Sequence, residues 1–100
     1  MQVFIPFLDQ FKPKLLDGSK TMTSRNKKYG HPEDTFYIGD AMFSILEVKK
    51  VTLGYVAFNC YKAEGCDSVD EFIEIWNKIH PRKTYHHDTD VFLHEFKRVL

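Results

Sequence analysis

Apolar and polar positions follow three different rhythms along this chain. Between residues 69 and 79, apolar side chains fall at Val69, Phe72, Ile73, Trp76 and Ile79, the spacing of one helical face. Ser68 stands just before this run and Glu71 three residues later, an S-x-x-E capping box in which each residue satisfies the other's orphan backbone N–H. Pro81 stops the pattern, so the spacing predicts a helix over 69–79. "VFLHEFKRV" (91–99) alternates instead and reads as a closing strand. Phe92, His94, Phe96 and Arg98 share one face of it, and Val91, Leu93, Glu95, Lys97 and Val99 the other.

The third rhythm is mixed. "AMFSILEVKKVTLGYV" (41–56) combines alternation with short apolar runs, and reads as one long strand or two joined at a bend. "TFYIGD" leads into it through a Gly-Asp turn. "VFIPFL" (3–8) reads as a short first strand, and "KTMTSR" (20–25) as another, because Thr favours pleated structure. "LDQFKPKLLDG" (8–18) reads as a short helix: Phe11, Leu15 and Leu16 share a face, Pro13 suits the first turn and Gly18 the position beyond the C-terminus. "VAFNCYKAEG" (56–65) reads as a short helix ending at Gly65. "NKKYGHPED" and "PRKTYHHDTD" are rich in turn formers and read as loops. The sum is an α+β chain: a small, curved, mostly antiparallel sheet closed by two or three short helices.

Composition narrows this further. One domain spanning 1–100 is expected for 100 residues. A hydrophobic share of 43% and an aromatic share of 15% suffice for a core and exclude a disordered chain. The formal net charge is zero, so bulk charge selects neither nucleic acid nor membrane. Its distribution is uneven. Lys12, Lys14, Lys20, Arg25, Lys27 and Lys28 face a single acid, Asp17, over residues 12–28, whereas Glu64, Asp67, Asp70, Glu71 and Glu74 form a stretch without a base.

Cys60 and Cys66 form neither a disulfide framework nor a CxxC pair and read as reduced packing residues. "MQVFIPFLDQ" lacks the basic start of a signal peptide, and no apolar run of about 18 residues occurs. A cytoplasmic protein with no membrane partner is the expectation. His80, His86, His87, Asp88 and Asp90 are ligand types, but neighbours in an extended loop point apart and no HxxxH spacing occurs. They read as a solvated loop, and no metal or cofactor is expected.

The basic stretch holds the most specific signal. "GSKTMTSR" (18–25) fits the pattern G-x-K-x-x-[E/T]-x-R after a short helix. "IGD" before a long strand, "EGCDSVDEF" before an amphipathic helix and "VFLHEFKRV" at the end follow in order. Together these resemble an ASCH domain, a branch of the PUA-like superfamily, over roughly residues 4–99. The resemblance implies a pseudo-barrel of about five or six strands flanked by helices, with a cleft beside the G-x-K motif, and RNA or a modified nucleoside as partner. Many members have an acid where this chain has Thr23. A Thr there resembles the small bacterial branch that removes the acetyl group from acetylated cytidine nucleosides, in which a Lys, a Thr and a Glu are catalytic. The match puts these at Lys20, Thr23 and Glu64, with Glu71 and Glu74 as alternatives for the acid.

Chemistry sets conditions on that assignment. Thr23 hydroxyl is inert as a nucleophile at its own pKa and needs a base. Lys20 serves as that base only when neutral, so its pKa must fall well below the ordinary value of about 10.4. Glu64 would protonate the leaving amine or orient a water. Arg25, Lys27 and Lys28 would lower the Lys20 pKa or draw in an anionic substrate. Thr21 shares a strand face with Thr23 and Arg25, and Tyr37, Phe36 and Tyr61 would stack on a base. Residues three apart on a regular strand face opposite sides. Lys20 and Thr23 therefore share a site only if Lys20 sits in the Gly18-Ser19 turn, where Gly18 allows unusual backbone angles. The competing reading is a non-catalytic RNA-binding module whose basic 12–28 surface grips phosphate.

Overall fold

The computed structural model describes residues 1–100. Four strands form one antiparallel sheet: β1 (Met22–Arg25), β2 (Thr35–Ile38), β3 (Ala41–Thr52) and β4 (Asp90–Arg98), in the order β1-β4-β3-β2. The sheet is curled into a half-barrel. Three helices accompany it: α1 (Lys12–Leu16), preceded by a 3-10 turn at Asp9–Phe11, α2 (Leu53–Asn59) and α3 (Val69–Ile79). The α+β architecture matches the expectation, with four strands in place of five or six. No helix is long and apolar enough to cross a membrane.

The mixed pattern of residues 41–56 has a physical explanation. β3 is one strand with a bulge: Ile45 pairs with Phe96, yet Glu47 pairs with Glu95, leaving Leu46 as the extra residue. An extra residue reverses the inside–outside alternation. Phe43 and Ile45 therefore face one core before the bulge, and Val48 joins them after it. Beyond Thr52 the chain turns helical rather than continuing as strand. Thr52 Oγ1 accepts from Tyr55 N at 3.2 Å and caps α2. The expected helix over 56–65 thus starts earlier, at Leu53, and ends at Asn59; residues 60–65 are turns.

The expected first strand over 3–8 does not form. Gln2 bridges Thr35 and Val3 N donates to Thr35 O at 2.7 Å, but Pro6 has no N–H for a ladder. The segment instead crosses the sheet, burying Ile5 in the core and placing Phe7 against Phe36 and Phe96.

Two cores result. Leu53, Val56, Ala57, Phe72, Trp76, Val91 and Leu93 join α2 and α3 to one sheet face. Ile5, Leu15, Phe36, Phe43, Ile45 and Phe96 fill the other. The middle of β4 is buried on both faces, since Val91 and Leu93 point into the first core and Phe96 into the second. α3 has the predicted span, and Ser68 Oγ accepts from Glu71 N at 3.1 Å. The returning bond is shifted by one residue: Glu71 Oε1 accepts from Asp67 N at 2.8 Å, not from Ser68 N.

Candidate functional site

Lys20 stands where α1 gives way to β1. Gly18 ends the helix at φ 85°, a left-handed angle that favours glycine. Asp17 Oδ1 then accepts from Ser19 N at 2.8 Å and from Ser19 Oγ at 2.6 Å, the local bonding that makes Asp a turn residue. β1 starts only at Met22, so Lys20 lies in the irregular stretch. It thereby escapes the three-residue divergence, and its side chain and that of Thr23 line one cavity.

The Lys20 side chain is 3% exposed. Nζ donates to Met22 O at 2.8 Å and to Glu64 O at 2.6 Å, and it lies 3.4 Å from Glu64 Oε1. It also sits 4.6 Å from the Phe11 ring centroid. Burial pushes the Lys20 pKa down, and the Glu64 carboxylate opposes that shift. Gly65, at φ 92°, leaves room for this packing: a Cβ there would come within 3.2 Å of Phe11 and 3.3 Å of Lys20.

Glu64 arrives from the turns after α2, with its N–H bonded to Cys60 O at 2.9 Å. It is 5% exposed, and its Oε2 is buried without a partner. The two other acids weighed for this role stand apart. Glu71 serves the α3 cap, and Glu74 is exposed. Ala63 O accepts from both Thr21 N and Met22 N, which ties this turn to the start of β1.

Thr23 is buried, and its Oγ1 accepts from Arg25 Nε at 3.0 Å. Arg25 has further ties: Nη2 donates to Pro6 O at 2.5 Å, and the guanidinium lies 5.0 Å from the Phe7 ring and 5.1 Å from the Tyr29 ring. This Arg is thus a clamp between β1 and the 3–8 segment. Thr23 Oγ1 makes no hydrogen bond to Lys20 Nζ.

The cavity has a volume of about 480 Å³, within the size range of small-molecule sites. The edge strand β1, the segment around Phe7 and α3 enclose it. Lys20, Thr23, Arg25, Lys27 and Glu64 all line it. Thr21, Lys28 and Tyr37 do not. Thr21 spends its main chain on Ala63 and Phe96. Lys28 lies over Phe92 instead. Tyr37 is 44% exposed on β2, at the opposite edge of the sheet. Phe36 is buried in the second core, and Tyr61 packs on the first.

The aromatic wall comes from residues the sequence reading left to other roles: Phe7, Phe11, Tyr29 and Trp76. Trp76 is core, as its helical spacing predicts, and also cavity wall. Its ring stacks on His80 at 4.0 Å, and its Nε1 has no partner. Trp76, Ile79 and His80 share the α3 face toward the cavity, a signal present in the 69–79 periodicity.

With this geometry established, solved structures supply the comparison. The chain superposes on an ASCH domain from Lactobacillus crispatus JV V101 with a TM-score of 0.62 and 13% identity, covering 96% of this chain and 76% of that one. The fold is that of an ASCH domain. A protein from Enterococcus faecalis V583, EF3133 of family DUF984, matches this ASCH fold with a TM-score of 0.64 and 17% identity, over 90% of this chain and 70% of the other. The hypothetical protein PH0355 matches with a TM-score of 0.65 and 12% identity, over 93% and 94%. No family model matches the sequence, and no curated protein matches it significantly. The likeness thus lies in the backbone, and it extends over nearly the whole of this chain.

Proposed function

We propose that this protein binds the base of a modified nucleoside in the 480 Å³ cavity and hydrolyses the amide of acetylated cytidine there. The observation that carries this reading is the buried Lys20–Glu64 pair, with one carboxylate oxygen unpartnered, in the cavity that Thr23 also lines. Thr23 Oγ would attack the acetyl carbonyl while Lys20 takes its proton. Glu64, turned toward the ligand, would relay the proton that Lys20 took from Thr23 to the cytidine amine as the C–N bond breaks. Water would then hydrolyse the Thr23 ester and release acetate. Burial lowers the Lys20 pKa in the direction base catalysis needs. To accept the proton, Nζ must give up one of its three acceptors. Phe7, Phe11 and Tyr29 offer ring faces for the base.

One observation favours a second reading, a non-catalytic RNA-binding module. Three acceptors around Nζ suit an ammonium, and the exposed Lys27 at the cavity would meet phosphate. Incubating the protein with acetylated cytidine, free and within RNA, separates the two. Deacetylation read by mass, abolished in Thr23→Val and Lys20→Ala, supports the hydrolase. Intact substrate together with steeply salt-dependent RNA binding supports the module.

A further inference from the structure

One buried titratable group stands outside this chemistry. His94 lies on β4 directly opposite Thr23 in the β1–β4 register. It is 0% exposed and does not line the cavity. Its Nε2 is 3.0 Å from Tyr29 N. An amide N–H only donates, so Nε2 accepts, and the single ring hydrogen resides on Nδ1. Nδ1 in turn faces Phe92 O at 3.0 Å and Thr23 O at 3.2 Å. The neutral ring thus spends its whole bonding capacity on three segments: β1, its own strand and the loop after β1.

Two of those segments supply the cavity wall. Thr23 carries the hydroxyl, and Tyr29 carries the ring beside the Arg25 guanidinium. We propose that His94 is a positioning residue that holds Thr23 and Tyr29 in place from behind the cavity, and that protonation of its Nε2 releases this wall. A protonated Nε2 would point a hydrogen at the Tyr29 N–H, setting donor against donor. Burial opposes the new charge more than the Thr23 and Phe92 carbonyls on Nδ1 favour it, and no carboxylate faces the ring. β1 presents the Arg25 cation, β3 presents apolar Val48 in register, and the loop presents the Tyr29 ring at 6.2 Å. Glu47 and Glu95, the neighbouring residues of β3 and β4, pair with each other and point to the opposite face. The site is therefore built to function with a neutral histidine, and it opens on acidification.

The activity arm of the test rests on the hydrolase reading; the spectroscopic arm does not. His94→Gln offers a neutral oxygen toward Tyr29 N and cannot titrate in this range. In the wild type, kcat should fall about tenfold per pH unit below the His94 titration, while KM changes less. In His94→Gln that contribution should vanish, leaving only the shallower acid limb that the Lys20 base itself imposes. Coinciding wild-type and His94→Gln profiles would overturn the proposal. Independently of turnover, nitrogen-15 NMR of the wild type should show an Nδ1–H tautomer at pH 7.5. The Tyr29 amide signal should then shift as His94 titrates. A Tyr29 amide that ignores this titration overturns the proposal even if acetylated cytidine proves not to be a substrate. Absent turnover with the coupled NMR shift would retain the positioning role and discard only the hydrolase.

Discussion

Lys20 Nζ lies 3.4 Å from Glu64 Oε1, and both side chains are almost wholly out of water. The pair joins the turn before β1 to the turns before α3, residues 44 apart in sequence. Placing two charges in a core is costly, and their mutual attraction recovers that cost only partly. A pair so placed, with a carboxylate oxygen left unpartnered, adds little net stability to the fold.

That view has a consequence for stability. Lys20→Met leaves Glu64 buried and uncompensated, and should cost about 3–5 kcal/mol. The double change Lys20→Met, Glu64→Leu should recover most of this loss or surpass the wild type, while abolishing activity. Urea denaturation of the three proteins measures the effect. A double variant no more stable than Lys20→Met would show that the pair stabilises the fold.

The two glycines flanking Lys20 should respond differently. A Cβ at Gly18 meets nothing within 4 Å, so Gly18→Ala bears only its left-handed backbone, about 1–2 kcal/mol. At Gly65 the same strain adds to contacts of 3.2 Å with Phe11 and 3.3 Å with Lys20. Gly65→Ala should therefore be the more destabilising change and should also depress turnover. Equal melting shifts would show that the Lys20 stem is not packed this closely.

Acid should weaken the fold through His94. Burial holds its folded-state pKa below the ordinary 6.5. Below pH 6.5 the unfolded chain takes up a proton that the native state refuses, so stability falls as pH drops toward the folded pKa. The His94 contribution is complete above 6.5. Denaturation midpoints between pH 7.5 and 5 should decline less steeply in His94→Gln than in the wild type.

Cys66 lines the cavity but should be a poor nucleophile. Burial pushes its thiol up to about 11, from an ordinary 9.0. Two pH units correspond to roughly a hundredfold less thiolate at pH 8. Thiol-reagent kinetics should show Cys66 reacting at least about a hundred times more slowly in the native protein than in urea. Equal rates would mean an open, mobile cavity.

The legibility of this fold in its sequence varied with the range of the governing interaction. α3, β4 and the α1–Gly18 turn rest on local spacing and caps, and each was readable. The strand read from Lys20 starts only at Met22, so the turn placement of Lys20, a condition in the sequence, is settled by the structure. The bulge at Leu46 was not readable, because it is defined by which β4 residue stands opposite. The 3–8 segment carries strand-like residues but meets no complete ladder, and Pro6 removes a donor. Tyr37 reads as a stacker, whereas Tyr29 lies in a stretch that reads as a loop. Only the strand order puts the first on the far edge and the second in the cavity wall. The Arg25 clamp escaped for the same reason, since its partner Pro6 O belongs to a segment expected to be a strand.

The most direct test of the account is whether Thr23 carries the acyl group. Rapid quenching of the protein with acetylated cytidine, followed by peptide mass mapping, should find acetate esterified to the peptide containing Thr23. Thr23→Val should show neither the adduct nor cytidine. Cytidine released by Thr23→Val at the wild-type rate would contradict the assignment.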